Sequence, residues 1–137
     1  MVTKIHMTYA GDLQFNATHG PSNTSIMTDA PVDNQGQGRS FSPTDLVATA
    51  LGACMGTIMG IVAKRDNIDL SGMTIEVEKE MTNKPVRRIG ALKVEIKVPQ
   101  KLNDEEKKKL KTAALTCPVH KSLHPDILVN VEFKWGL

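Results

Sequence analysis

The longest run of apolar and small residues extends from Leu46 to Ala63 and contains no charged side chain. Ser42 precedes this run as a candidate N-cap, and Pro43 fits the first helical turn, where a missing N–H costs nothing. Asp45 completes an S-x-x-D capping box and complements the helix dipole. The pattern therefore predicts a long helix that begins at Pro43.

This helix approaches the length of about 18 to 20 apolar residues that spans a membrane. Its three glycines and several threonines make it less hydrophobic than a typical membrane span, so we interpret it as a core helix buried on most sides. The glycines, Gly52, Gly56 and Gly60, recur every fourth residue and form one stripe. Each costs roughly 1 kcal/mol relative to alanine. We expect a second helix, from this chain or a partner chain, to pack closely along that stripe.

Outside the helix, several segments alternate apolar and polar residues, as half-buried strands do. They are residues 2–9, 11–16, 25–28, 70–80, 86–98 and 127–135. The first two segments predict a hairpin with its turn at Ala10, Gly11 and Asp12. The segments at 70–80 and 86–98 predict a second antiparallel hairpin.

A second helix is predicted after Asn103, which stands in front of three acidic residues suited to a first helical turn. Its apolar stripe follows helical spacing and leads to the core side of the helix. The stripe consists of Leu110, Ala113, Ala114 and Cys117. Pro118 ends this helix and begins another short one. The order of the elements predicts an α+β fold with largely antiparallel sheets.

The length of 137 residues is typical of one domain, so we expect a single domain over residues 1–137. The net charge is only +2 and aromatic residues make up 4% of the chain, which argues against binding of nucleic acid. The first nine residues alternate like a strand and lack the hydrophobic region of a signal peptide. We therefore expect a cytoplasmic protein with no membrane segment.

Cys54 and Cys117 are the only cysteines, and each lies on an apolar side of a helical segment. One interpretation is structural, since free cysteine packs as a small hydrophobic residue. The other is chemical. Cys117 directly precedes Pro118 at a predicted helix start, where unsatisfied backbone N–H groups favour a thiolate. Cys54 lies in mid-helix, so its activation would require a cation or a hydrogen-bond donor supplied by the fold.

A metal site is a further alternative, because His120 follows Cys117 at C-x-x-H spacing. Cys54 would supply a third ligand and His124 a fourth. Histidines at the solvent edge of a helix are commonly unliganded, so we expect neither a metal nor another cofactor.

Two segments together carry a family resemblance. GRSFSPTDLVATALGACMGTIMG, which contains Cys54, is followed later by TCPVHKSL, which contains Cys117. The pair resembles the osmotically inducible protein C and organic hydroperoxide resistance (OsmC/Ohr) family. The resemblance implies an OsmC-like α+β fold with two antiparallel three-stranded sheets around a long cysteine-bearing helix and a second helix. It further implies an intertwined homodimer, in which the sheets of two chains merge.

The resemblance also implies a cysteine-based peroxidase of oxidative-stress defence. Cys54 would reduce an organic hydroperoxide to an alcohol and become a sulfenic acid, and Cys117 would then form a disulfide with it. A dithiol reductant, either a small thiol or a lipoyl-type protein, would reopen the disulfide. Arg39 and Asp45 would supply the arginine and the carboxylate that activate the peroxidatic thiol in the family.

The chain departs from the family pattern near Arg39 and Asp45. Thr44 stands where the family peroxidases have a glutamate, and no arginine precedes Arg39. The departure supports an alternative function, in which the protein is a non-enzymatic dimeric module for binding or redox sensing.

Overall fold

A computed structural model describes all 137 residues and has an α+β architecture with two three-stranded sheets. The strands are β1 (Ile5–Gly11), β2 (Gln14–His19), β3 (Ser25–Asp29), β4 (Thr74–Thr82), β5 (Arg88–Val98) and β6 (Leu128–Trp135). The helices are α1 (Pro43–Arg65), α2 (Asp104–Leu115) and α3 (Pro118–Ser122), and a single 3-10 turn covers Val32–Asn34. The chain divides into two compact units, Met1–Val47 and Ala48–Leu137. The single domain expected from the length stays a prediction.

The first unit contains the antiparallel sheet β1-β2-β3. Its first turn lies slightly later than predicted, at Asp12 and Leu13, which adopt φ angles of 52° and 65°. Two consecutive left-handed residues are the geometry of a type I′ turn, whose twist matches that of the flanking strands. A register shift between Tyr9 and Gly11 carries β1 into the residues expected to form the turn.

One face of this sheet is apolar and open to solvent. Met7 pairs with Ala17, which pairs with Ile26, and Tyr9 pairs with Phe15 in the neighbouring row. Directly paired residues project to the same side of a sheet. Of these side chains, only Ala17 is buried in the chain. The first sheet therefore presents a continuous hydrophobic surface.

The start of α1 confirms the predicted capping box. The Asp45 N–H donates to the Ser42 hydroxyl at 3.1 Å, and the Ser42 N–H donates to the Asp45 carboxylate at 2.9 Å. These two bonds satisfy backbone donors that the first helical turn would otherwise leave without partners. Ser42 is buried, so water is a poor substitute for them.

Within the second unit, α1 packs on β4 through its glycines. A Cβ atom at Gly52 would lie 2.8 Å from Val77 Cγ2, and one at Gly56 would lie 2.8 Å from Ile75 Cδ1. A second helix was therefore the wrong expectation for these two glycines, because strand side chains occupy the space. Gly60 has no atom within 4 Å of its Cβ position.

In the single chain only one side of α1 is buried. The prediction of a helix buried on most sides is therefore wrong for the single chain. The core side comprises Ala48, Leu51, Gly52, Met55, Met59 and Ala63. The side chains of Ala50, Ala53, Thr57 and Ile61 are exposed. By length and composition α1 could cross a membrane, and its most apolar window is 33% buried in the chain. Core helices of soluble proteins share that composition.

The second sheet has the order β4-β5-β6. The predicted antiparallel pairing holds for β4 and β5, but β6 lies parallel to β5. The sheet is therefore mixed, not antiparallel throughout. The reason is the long connection through α2 and α3, which returns the chain to the end of the sheet where β5 began, as a parallel neighbour requires.

The predicted cap of α2 is confirmed. The Glu106 N–H donates to Asn103 Oδ1 at 2.8 Å, and the Asn103 N–H donates to Glu106 Oε1 at 3.1 Å. The apolar side of α2 buries Leu110, Ala113 and Ala114, and the same stripe continues to the buried Cys117. The cap and the stripe together set the position at which α2 delivers Cys117.

The glycine contacts predict opposite effects of two alanine substitutions on the free energy of unfolding. Gly52→Ala should destabilise the protein by about 1–3 kcal/mol, because a stiff valine on β4 must move. Gly60→Ala should stabilise it by up to about 1 kcal/mol, because alanine favours the helix and meets no atom of this chain. Urea unfolding of both variants measures the two changes. A Gly52→Ala protein as stable as the wild type would contradict the tight packing on β4, and a destabilised Gly60→Ala protein would indicate a second chain at that site.

Candidate active site

The Cys117 thiol is held at the first turn of α3. Cys117 is the N-cap of that helix, and its sulfur accepts the N–H of His120 at 3.4 Å. Pro118 occupies the next position, where proline lacks only an N–H that the helix does not use. The Cys117 side chain is fully buried. The sequence thus fixes the sulfur between a helix stop and a helix start, out of contact with water.

The Cys54 thiol lies beside the Cys117 thiol. Cys54 is in the middle of α1 and is partly exposed, and its thiol and that of Cys117 are hydrogen-bonded to each other. Both cysteines are free. Segments more than sixty residues apart therefore bring the only two sulfhydryl groups of the protein into contact. Two neighbouring thiols are the groups that a two-electron oxidation can join as a disulfide.

The electrostatics of the pair differ from the sequence prediction. Burial raises the pKa of the Cys117 thiol, and the hydrogen bond with the Cys54 thiol raises it further. The backbone N–H groups of His120 and Val119 act in the opposite direction but are outweighed. The backbone donors expected to favour a thiolate at Cys117 are therefore present, but burying an anionic sulfur costs more than these donors return.

Arg39 is held by two carboxylates within the first unit. Its Nε donates to Asp29 Oδ2 at 2.7 Å, its backbone N–H donates to the same oxygen at 3.0 Å, and its Nη2 lies 3.2 Å from Asp12 Oδ2. The Asp29 side chain is fully buried. The hydrogen bonds from Arg39 hold the pKa of Asp29 at about 2, and the same pairing raises the pKa of Arg39. The guanidinium group is thus fixed in place by a buried anion.

The second residue expected to activate the thiol, Asp45, belongs to the cap of α1 through its bond with Ser42. Thr44, at the position of the family glutamate, has its hydroxyl 3.2 Å from the Ser42 hydroxyl. The structure therefore brings together two of the four predicted site residues, Cys54 and Cys117. The catalytic roles of Arg39 and Asp45 stay predictions.

His120 contributes a feature that spacing alone did not reveal. Its backbone N–H contacts the Cys117 sulfur, while its ring Nδ1 is buried and has no hydrogen-bond partner. The C-x-x-H spacing had suggested a metal ligand. The structure contains no group of three or more His, Cys, Asp and Glu side chains placed to hold a metal ion.

A groove of about 400 Å³ lies between the C-terminal half of α1 and α2. Its lining includes the apolar residues Val62 and Ala113 and the basic residues Arg65, Lys108 and Lys109. Neither cysteine lines it. The groove is therefore separate from the thiol pair.

Comparison with known proteins agrees with this arrangement. The family model described as OsmC-like protein matches residues 36–132, which include both cysteines. The chain therefore belongs to the OsmC-like protein family, and the family predicted from its two cysteine segments is confirmed. No sequence among curated proteins matches it.

Three solved structures illustrate the similarity. A protein from Psychrobacter arcticus 273-4, assigned only provisionally to the osmotic stress and detoxification response, is 50% identical, with a TM-score of 0.91 over 97% of this chain and 96% of that one. The organic hydroperoxide resistance protein OsmC of Legionella pneumophila is 19% identical, with a TM-score of 0.73 over 98% and 97%. The organic hydroperoxide resistance protein OhrB of Bacillus subtilis is 22% identical, with a TM-score of 0.70 over 98% of each chain. These last two likenesses establish the shared fold.

The buried ion pair predicts how stability depends on pH. The pKa of Asp29 is about 2 in the folded chain, below its ordinary value of 3.8. Folding therefore gains from the ionised carboxylate above about pH 4, and this gain is lost as the pH falls towards about 2. Urea unfolding of wild type and Asp29→Asn across this range should give a difference in stability that is largest near neutral pH and shrinks on acidification. A control substitution at the exposed Glu80, Glu80→Gln, should lack this dependence, and a difference for Asp29→Asn that stays constant with pH would contradict the prediction.

Proposed function

We propose that the protein reduces organic hydroperoxides with its two cysteines and serves in defence against oxidative stress. The observation that carries this proposal is the contact between a partly exposed thiol, Cys54, and a fully buried one, Cys117. That difference in exposure suits a pair in which the Cys54 sulfur reacts with the oxidant and the Cys117 sulfur reacts only with Cys54. The names of the Legionella and Bacillus relatives agree with this activity.

In the first step the Cys54 thiolate attacks the distal oxygen of the hydroperoxide. The O–O bond breaks, the sulfur becomes a sulfenic acid, and the alkoxide takes a proton and leaves as an alcohol. The partial exposure of Cys54 admits the substrate, while the buried Cys117 is protected from direct oxidation. The proposed roles of Arg39 and Asp45 are to favour the thiolate and to orient the peroxide.

In the second step the Cys117 sulfur attacks the Cys54 sulfur. The S–O bond breaks, a disulfide forms, and the oxygen leaves as water. An external dithiol, either a small thiol or a lipoyl-type protein, then returns both cysteines to thiols by exchange. This reductive step is suited to a reducing compartment such as the cytoplasm.

A second candidate function is redox sensing without efficient turnover. The observation that favours it is the engagement of Arg39 by Asp29 and Asp12, which uses donors that would otherwise be available to a peroxide. Thr44 at the position of the family glutamate points the same way. Under this alternative, Cys54 and Cys117 still form a disulfide, but repeated turnover is slow.

We further propose that the working form is a homodimer. Five large side chains on the apolar face of the first sheet are each 40–62% exposed, namely Ile5, Met7, Tyr9, Phe15 and Ile26. The open side of α1 adds Ile61, which is 59% exposed. Contiguous apolar patches of this kind are uncommon on soluble monomers and mark interfaces. A second copy of the chain is the partner proposed to cover them.

The peroxidase proposal predicts distinct fates for two serine variants in a single turnover with cumene hydroperoxide. Fully reduced wild type should consume the peroxide and lose two thiols to a disulfide. Cys54→Ser should consume no peroxide, whereas Cys117→Ser should consume one equivalent and stop at a sulfenic acid that a 1,3-diketone can trap. Residual peroxide and intact mass measure these outcomes.

The peroxidase proposal is wrong if reduced wild type consumes cumene hydroperoxide no faster than Cys54→Ser. Disulfide formation after one equivalent, followed by negligible turnover with a dithiol, would instead favour the sensing alternative.

The dimer proposal predicts that a charge on the apolar sheet face weakens assembly. Met7→Lys should raise the dissociation constant at least about 30-fold, because a buried lysine at an interface costs roughly 2 kcal/mol or more. Thr8→Lys, on the opposite face of the same strand, is the matched control and should leave assembly unchanged. Light scattering after size exclusion should give about twice 15.0 kDa for wild type. A wild-type mass near that of a single chain would refute the proposal, and Ile61→Lys tests the α1 surface independently.

A further inference from the structure

The ring of His120 holds a buried polar atom without a partner. Three buried side-chain atoms lack a hydrogen bond, namely Asp66 Oδ2, Gln100 Oε1 and His120 Nδ1. Lys109 Nζ lies 3.0 Å from the first of these, so that charge is compensated. The second belongs to an amide whose nitrogen donates to the Ser71 carbonyl at 2.6 Å. His120 Nδ1 is the only basic nitrogen of the three, and a buried polar atom without a partner destabilises the folded protein.

The position of this nitrogen relates it to the buried thiol. The backbone N–H of His120 already donates to the Cys117 sulfur at 3.4 Å. The ring nitrogen is only a few covalent bonds from that backbone nitrogen, so rotation of the side chain can carry it towards the sulfur. The residue whose backbone N–H donates to the Cys117 sulfur therefore also carries the unpartnered ring nitrogen.

Few other titratable residues lie close to α3 in the sequence. The last turn of α2, residues 112–115, has no charged side chain, and α1 supplies Cys54 to the pair. The remaining charged side chains nearby in sequence are Lys121, His124 and Asp126, and the last two are exposed and 3.8 Å apart. His120 is therefore the one histidine whose backbone contacts the buried sulfur.

We propose that His120 Nδ1 accepts the proton of the Cys117 thiol when Cys117 attacks the oxidised Cys54 sulfur. The inference rests on the proposed function for the identity of that oxidised form. The proton moves from sulfur to Nδ1, the Cys117 electron pair forms the S–S bond, and the S–O bond of the sulfenic acid breaks. The departing oxygen takes the proton from Nδ1 and leaves as water, so the imidazole returns to its starting form. The ring must begin with Nδ1 unprotonated and Nε2 carrying the hydrogen.

The burial of Cys117 makes such an acceptor necessary. A thiol is a poor nucleophile until it loses its proton, and this one has no water at hand. In the reduced protein the Cys117 thiol is hydrogen-bonded to the Cys54 thiol, and burial raises its pKa. Oxidation of Cys54 disrupts that bond and leaves the proton in need of another acceptor. A positioned general base typically contributes 10²–10⁴-fold to such a step.

The test uses a reaction that needs no peroxide. Reaction of the reduced protein with dithiobis(nitrobenzoate) releases one equivalent of thionitrobenzoate as Cys54 forms a mixed disulfide. A second equivalent is released when Cys117 displaces the group and forms the protein disulfide. The second rate therefore reports the readiness of Cys117 to lose its proton.

His120→Asn is the informative variant, because its side-chain oxygen can still accept a hydrogen bond at the Nδ1 position but cannot hold a proton at neutral pH. We expect its second release to be at least about tenfold slower than in wild type near pH 7. Its rate should rise about tenfold per pH unit, as a bare thiol requires, whereas the wild-type rate should depend less steeply on pH. The first release should match wild type, and His124→Gln should behave as wild type throughout.

Equal second rates and equal pH profiles in wild type and His120→Asn would overturn the proposal. A wild-type second rate that itself rises about tenfold per pH unit would also overturn it, whether or not the variant folds. Failure of cumene hydroperoxide to oxidise Cys54 would count against the proposed function alone, since the thionitrobenzoate displacement would still measure the role of His120.

Discussion

The contact between the Cys54 and Cys117 thiols joins the middle of the longest helix to the start of the shortest one. The contact is asymmetric, because one sulfur is partly exposed and the other has no exposed surface. Burial opposes charge on Cys117 more strongly than the α3 backbone favours it. The order of events at the pair is then a matter of solvation. Under the proposed function, the sulfur that reagents can reach reacts first, and the buried one then reacts with its neighbour.

The two sides of α1 differ in what they pack against. On the core side, Gly52 and Gly56 let the helix lie against Val77 and Ile75 on β4, which places the helix axis close to the sheet. On the open side, small and apolar residues remain in contact with water. A helix with so little polar surface is stable only where another surface covers it. The glycine spacing is therefore explained by packing on the core side of α1. The lack of charged residues is explained by the need to cover its open side.

Local sequence rules predicted much of this fold. The caps at Ser42 and Asn103 depend on residues within one turn, so the starts of α1 and α2 were predictable and are confirmed. The parallel pairing of β6 was not predictable in this way, because orientation is decided by a connection through two helices. The burial of Cys117, which opposes the effect of the helix start, was not predictable in this way either. Spacing reveals the helix N-terminus beside the sulfur, whereas its burial depends on segments distant in the sequence. The unpartnered Nδ1 of His120 could be found only from coordinates.

The parallel pairing of β6 with β5 also determines which side of the second sheet carries the two cysteines. A parallel neighbour can be reached only by a crossover that passes over one face of the sheet, and here α2, Cys117 and α3 form that crossover. Both α1 and α2 contribute to one groove, so the crossover lies on the face that α1 covers. An antiparallel β6 could have followed a short hairpin, with no segment to carry the second cysteine over that face. The meeting of the two sulfurs is in this sense a property of the chain's topology as well as of the residues around them.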